Sequence, residues 1–166
     1  KRVDMIAEAV KKSTFRIKWI HFGTGPDLEL VKGTLTSLPK NVSVELRGHV
    51  SNEALLYFYS NNHVDAFVHV SSTEGFGFAI VEALISGIPA ILYPVGGVKE
   101  IMDERYSIIL PQDLNNNILS DAIASARNYF PQSIEFRREI QAFYAEKFNL
   151  ERQGKELYDL IEKPNT

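Results

Sequence analysis

An α/β protein with a parallel, doubly wound sheet is the fold class this sequence predicts. Three observations carry that expectation. Short apolar runs of strand length alternate with longer amphipathic runs of helix length. Glycine and proline punctuate the junctions, as in Gly23-Thr24-Gly25-Pro26, Gly87-Ile88-Pro89 and Gly96-Gly97. The strand-length runs are apolar enough to be covered by helices on both faces, which right-handed crossovers provide.

The elements follow in order. Val3 to Val10 places apolar residues at helical spacing. Ile17 to Phe22 alternates and predicts a strand that ends in the Gly23–Pro26 turn. Asp27 to Leu35 predicts a helix with Pro26 in its first turn. Val42 to Leu46 is a strand, Arg47-Gly48-His49-Val50 a turn, and Ser51 an N-cap for a helix from Asn52 to Tyr59. Asp65 to Val70 is the next strand. A turn with two glycines follows, then a helix over Phe78 to Leu84. Ala90 to Tyr93 and Tyr106 to Leu110 predict two more strands, with a short helix from Val98 between them. Ile118, Leu119, Ala122, Ile123, Ala126 and Phe130 share one helical face, and further amphipathic helices are expected over Ser133 to Phe148 and Glu151 to Glu162. One domain over residues 1–163 and a polar tail of 164–166 suit a chain of 166 residues.

Composition narrows the function classes. The net charge of −3 gives no reason to expect nucleic acid as a partner. With no cysteine, a disulfide framework, a thiol nucleophile and Cys-ligated zinc are excluded, and a reducing, cytoplasmic setting is expected. No run is long enough to span a bilayer, so membrane contact is expected only at the inner face and only through a parent protein. The chain opens on Lys1-Arg2-Val3 without an initiator Met, and we read it as a piece of a longer protein.

The chemistry concentrates in Ser71-Ser72-Thr73-Glu74-Gly75-Phe76-Gly77-Phe78, between a strand and a helix. Glycines there let backbone approach a ligand, and the free N–H groups of a helix start favour an anion. Glu82 stands two helical turns beyond Glu74, where it can address the same ligand from deeper in the helix. The plainer reading makes Glu74 a partner of the helix dipole and Glu82 a surface residue.

Glu74-x7-Glu82, written EGFGFAIVE, resembles the E-x7-E signature of the family 4 retaining glycosyltransferases. Glu82-Ala83 through Gly87-Ile88-Pro89, and Gly96-Gly97-Val98-Lys99-Glu100-Ile101, are similar to that family's E-A-x-x-x-G-x-P and G-G-x-x-E-I runs. The resemblance implies the C-terminal, donor-binding half of a GT-B fold. It assigns Glu74 to a hydroxyl of the donor sugar, Glu82 to the ribose, and the amides of Gly75, Phe76, Gly77 and Phe78 to the diphosphate or sugar. Lys1 matches a lysine that neutralises the leaving diphosphate; its plainer reading is a solvated terminal residue. Gly23 and Gly25 are similar to a G-x-G-P turn lining the nucleotide cleft. A dinucleotide fingerprint would need a third glycine where Leu28 stands. Gly48 and Val50 fall where the base packs, or form a turn with Val50 as a hydrophobic staple.

The implied substrate is a UDP- or GDP-sugar, the implied partner an acceptor-binding N-terminal domain, and no metal or other cofactor is implied. No D-x-D occurs, and no histidine pair has zinc-ligand spacing. His69, inside an apolar strand, is expected to be a satisfied core residue. A non-catalytic nucleotide-sugar-binding domain and a sugar-nucleotide epimerase remain alternatives. The resemblance also puts a strand and a phosphate-binding arginine ahead of a helix like the one at Val3. In the order 3-2-1-4-5-6 that strand is central. Its absence leads us to expect that the strands at Ile17 and Asp65 either pair directly or leave a gap.

Overall fold

A computed structural model of the chain describes residues 1–149. The helix expected over Glu151 to Glu162, the tail, and the apolar residues Leu157, Tyr158 and Ile161 lie outside the described residues. Within them the elements alternate as α1 (Val3–Lys11), β1 (Ile17–Phe22), α2 (Leu28–Thr34), β2 (Val42–Gly48), α3 (Asn52–Asn61) and β3 (Phe67–His69). Then come α4 (Phe78–Ile85), β4 (Ala90–Leu92), α5 (Val98–Ile101), β5 (Ser107–Ile109), α6 (Asn116–Tyr129) and α7 (Ile134–Lys147). Every strand pairing is parallel.

The described strands form two sheets, β1 with β2, and β3-β4-β5. A gap therefore separates β1 from β3, one of the two outcomes expected. Burial marks it independently. All three residues of β4, flanked on both sides, are buried, whereas β1 has no fully buried residue and β3 only His69. Side chains bridge the gap from both faces. On one face Ile6, Ala9 and Val10 of α1 and Leu119, Ala122 and Ile123 of α6 pack with Val70 and Ile91, with Trp19 and Val68 against them. On the other, Phe58, Tyr59, Ala83 and Ile88 meet Ile20, Phe22 and Phe67.

Period-two alternation sorts the middle strand. Ile91 faces α1 and α6, while Ala90 and Leu92 join Ile80, Leu84, Ile101, Ile140 and Tyr144 beneath α4, α5 and α7. Helices thus cover both faces, as the doubly wound expectation requires.

Several boundaries differ from those expected, and β2 runs on through Arg47 and Gly48, where a turn was expected. β3 and β5 are three residues each, because β4, their shared neighbour, pairs only over Ala90–Leu92. β4 begins just after Pro89, which offers its carbonyl to Phe67 N at 2.8 Å but has no N–H to give. Pro26 lies outside α2, whose N-cap is Asp27. The Ser51 cap is as expected, its hydroxyl accepting from Ala54 N at 3.2 Å.

Candidate functional site

In a parallel sheet all strands end on the same edge, and the connections leaving those ends gather there. The Gly23–Gly25 turn leaves β1, Gly48–Val50 leaves β2, Ser71–Gly77 leaves β3, and Tyr93–Gly97 leaves β4.

The connection after β3 is an elbow. Gly77 caps α4 at φ 90°, a conformation glycine adopts without steric cost. Inside the elbow the buried Ser71 hydroxyl donates to Thr73 O at 2.8 Å. The Gly96-Gly97 turn presses on it from behind: a Cβ at Gly96 would stand 2.0 Å from Glu74 O, and one at Gly97 2.1 Å from Gly75 O. Gly97 N also donates to Gly75 O at 2.9 Å. These contacts back the elbow, and the amides of Gly75, Phe76, Gly77 and Phe78 donate no hydrogen bond to any described residue. Amides aligned at a helix start are donors for an anion.

Glu74 sits beside them. Its Oε2 meets Lys1 Nζ at 2.5 Å and His69 Nε2 at 2.9 Å, while Oε1 has no partner among the described residues. The Lys1 ammonium, then the His69 ring, hold the carboxyl below its usual range against the opposing effect of burial. Lys1 is 64% exposed and Glu74 16%, so this pair is half in water, and as a surface ion pair it contributes at most about 1 kcal/mol. Arg2 secures the same end of α1. Its guanidinium donates to the carbonyls of Val70 and Ser71 and lies 4.2 Å from the Tyr93 ring centroid. Its backbone pays for this with φ 52°, left-handed and unfavourable for a residue with a Cβ.

His69 was expected in the core and is indeed buried, at 8% exposure, but its Nε2 faces Glu74 rather than apolar neighbours. Burial pushes the imidazole below its ordinary range, although the Glu74 carboxylate pulls the other way. Strand alternation carries the signal for this contact. Val68 and Val70 pack toward α1 and Phe67 toward α4, so His69 shares the α4 side with the elbow.

α4 starts at Phe78, as expected, so Glu74 lies ahead of the helix, the two helical turns counted between the glutamates do not hold, and Glu82 is the fifth residue of α4, little more than one turn in. Glu82 Oε1 accepts from Asn52 Nδ2 at 2.6 Å, at the first turn of α3. The Tyr59 hydroxyl is pushed up to about 12 by burial and then by the Glu82 carboxylate. The two glutamates share no hydrogen-bond partner: Glu74 is tied to α1 and β3, Glu82 to α3.

Gly23 and Gly48 are brought together, Gly23 N donating to Gly48 O at 2.7 Å. Gly25 is exposed and Val50 half-buried just ahead of α3. The aromatic rings of the elbow do not fold into the core. Phe78 is 71% exposed and packs against Phe76 with ring centroids 5.0 Å apart. Among the described residues no group of three His, Asp or Glu could hold a metal ion, and no helix is long and apolar enough to cross a membrane.

Comparison with known proteins follows the same geometry. The family model of glycosyl transferases group 1 matches residues 1–129. An uncharacterized glycosyltransferase of Methanocaldococcus jannaschii is 30% identical over 129 residues, covering 77% of this chain and 35% of its own. A probable sucrose-phosphate synthase of Thermosipho melanesiensis is 33% identical over 113 residues, covering 68% of this chain and 25% of its own. Among solved structures, Anabaena HepE in complex with UDP superimposes on 97% of this chain and 45% of its own, with a TM-score of 0.75 at 18% identity. At that identity the likeness is one of fold: a Rossmann-like half of a GT-B architecture. The chain spans about a third or less of the length of these two curated relatives.

Proposed function

The chain belongs to the glycosyl transferases group 1 family, and on that premise we propose that it is the C-terminal, donor-binding half of a family 4 retaining hexosyltransferase. The reaction would move a hexosyl group from a nucleotide diphosphate sugar to an acceptor hydroxyl, in the assembly of a polysaccharide or glycolipid. The bond from the anomeric carbon to the diphosphate breaks, and the acceptor oxygen bonds to that carbon on the same face. The acceptor proton and the nucleoside diphosphate leave.

One observation carries this reading. Four unengaged amides at a helix start, a carboxylate and an ammonium converge at the strand ends. The amides and Lys1 suit the negative charge that develops on a departing diphosphate, and they would be worth most where water is excluded. Glu74 suits a sugar hydroxyl as donor to its free Oε1. Glu82, with one oxygen on Asn52, suits a ribose hydroxyl. Gly23, Gly25, Gly48 and Val50 line the remaining edge, where base and ribose would lie. No metal is required, since protein donors meet the diphosphate. HepE of Anabaena binds UDP and UDP-glucose, which favours a UDP-sugar over a GDP-sugar. A preceding half would supply the acceptor contacts and close the cleft against water. The chain by itself should therefore turn over no donor.

A thermal-shift series against UDP-, GDP- and ADP-sugars tests the reading, because a ligand of the native state raises the transition by mass action. One nucleotide-sugar class should raise it, and Glu74→Gln should diminish the rise. No rise with any of the three, in this chain and in a protein that also carries a preceding half, would refute the donor role.

A further inference from the structure

We propose that His69 is a positioning residue: it grips Glu74 Oε2 through a fixed Nε2–H hydrogen bond, so that Glu74 presents Oε1 to a hydroxyl of the donor sugar. This rests on the donor-site reading above and adds to it the residue that orients the acid and the oxygen that is used.

The two ring nitrogens of His69 stand in unlike surroundings. Nε2 lies 2.9 Å from Glu74 Oε2, and Nδ1 is buried with no hydrogen-bond partner. A neutral imidazole has one N–H. On Nδ1 that proton would be a buried donor with no acceptor, while the Nε2 lone pair would confront the carboxylate. On Nε2 it makes a charge-assisted hydrogen bond and leaves only a bare lone pair buried, the cheaper omission. A second proton would restore the unmet Nδ1 donor, in keeping with the downward push that burial exerts on this ring.

The backbone that carries the ring is fixed. His69 pairs with Leu92 in the β3–β4 register, and Tyr93 N donates to His69 O at 2.9 Å. Glu74 rides on the partly exposed elbow five residues later, tethered by the Ser71–Thr73 hydrogen bond. Lys1 contacts the same Oε2, but as a long side chain 64% exposed it orients weakly. The strand histidine is thus the rigid anchor and the elbow carboxylate the group it aims.

Two measurements on the full chain decide the matter. In titration calorimetry with UDP-glucose and with UDP, His69→Leu should weaken UDP-glucose about tenfold and leave UDP unchanged. His69→Gln, whose amide can donate from nearly the Nε2 position, should stay within about threefold of wild type for both. Equal losses for both ligands, or no loss for UDP-glucose, would overturn the proposal. A wild-type chain that does not distinguish UDP-glucose from UDP would overturn the sugar-contact reading together with it. Long-range proton–nitrogen correlation spectra of wild type need no ligand and test the grip alone. They should report the Nε2–H tautomer for His69 and its loss of preference in Glu74→Ala. An Nδ1–H ring would overturn the proposal whatever the donor reading's fate.

Discussion

Gly97→Ala should disable the elbow without contradicting any backbone preference. Gly97 sits at φ −65°, ψ −11°, right-handed geometry that alanine adopts freely. The cost is steric. The new Cβ would stand 2.1 Å from Gly75 O and 3.1 Å from Phe76 Cα, whereas real Cβ contacts essentially never fall below 3.0 Å. One side must retreat by about 1 Å. α5 resists, because Val98 and Ile101 are completely buried against Ile80, Leu84 and Tyr144. Gly75 and Phe76 are exposed, so the elbow moves and the Gly97–Gly75 hydrogen bond lengthens with it. Overpacking of this kind costs about 1–3 kcal/mol, and the lower end applies where the displaced segment borders water. Function should suffer more, since a 1 Å error in a positioned group is worth about 10²-fold in rate. Gly33→Ala is the control. It lies in α2 with open space around its Cβ, and it should raise stability by about 0.5–1 kcal/mol. Urea unfolding would measure stability, and calorimetric titration with a nucleotide sugar would measure the site. If Gly97→Ala matches wild type in both, the account of the elbow as propped from behind is wrong.

Arg2 yields a second expectation, from opposed effects at one residue. Arg2→Ala keeps the left-handed backbone and loses the contacts to Val70, Ser71 and Tyr93. Arg2→Gly loses the same contacts but relieves the backbone, so urea midpoints should place it about 1 kcal/mol above Arg2→Ala. Acid should destabilise the chain before its carboxylates titrate. Burial lowers His69 and His21 from the ordinary 6.5, so each binds its proton more readily unfolded than folded. Their contribution is complete above the ordinary value and drains away as pH falls below it toward the depressed folded values, so stability should drop as pH falls through and below 6.5. His69→Gln should flatten that drop, and an unchanged slope would contradict the buried-neutral reading. Glu74 and Asp103, lowered by Lys1 and Arg105 respectively, add a second loss only as pH falls through their folded values, below the ordinary carboxylate range.

The fold was largely legible because its signals are local. The Gly87-Ile88-Pro89 stop, the Ser51 cap and the apolar faces of α1 and α6 each sit within a few residues of what they determine. The glycine frame from Glu74 to Gly97 was legible as a motif, but the reason for its spacing was not. That two glycines are required because their backbone lies on another backbone, 2.0 and 2.1 Å from where a Cβ would fall, is a tertiary fact. The His69–Glu74 contact escaped because hydropathy reads the imidazole against its strand neighbours, not against a residue around the next turn. The start of α4 at Phe78 was legible, but the spacing from Glu74 to Glu82 was counted as helical across the elbow; Gly77 at φ 90° breaks that count, and Glu82 lies little more than one turn from the helix start.

The division of the strands into two ladders bears on how evenly the chain is held together. β1-α2-β2 and β3-α4-β4-α5-β5 are each continuous in sequence, and among the described residues no main-chain ladder joins them. Amide protons in Ile91 and Leu92, roofed on both faces and paired on both edges, belong to the most cooperative unit. Those of β1 depend on one neighbour and on side chains from α1, α3 and α6. Partial unfolding should therefore begin with the amino-terminal pair swinging free as a unit, while the segment that carries Glu74, His69 and the elbow keeps its protection.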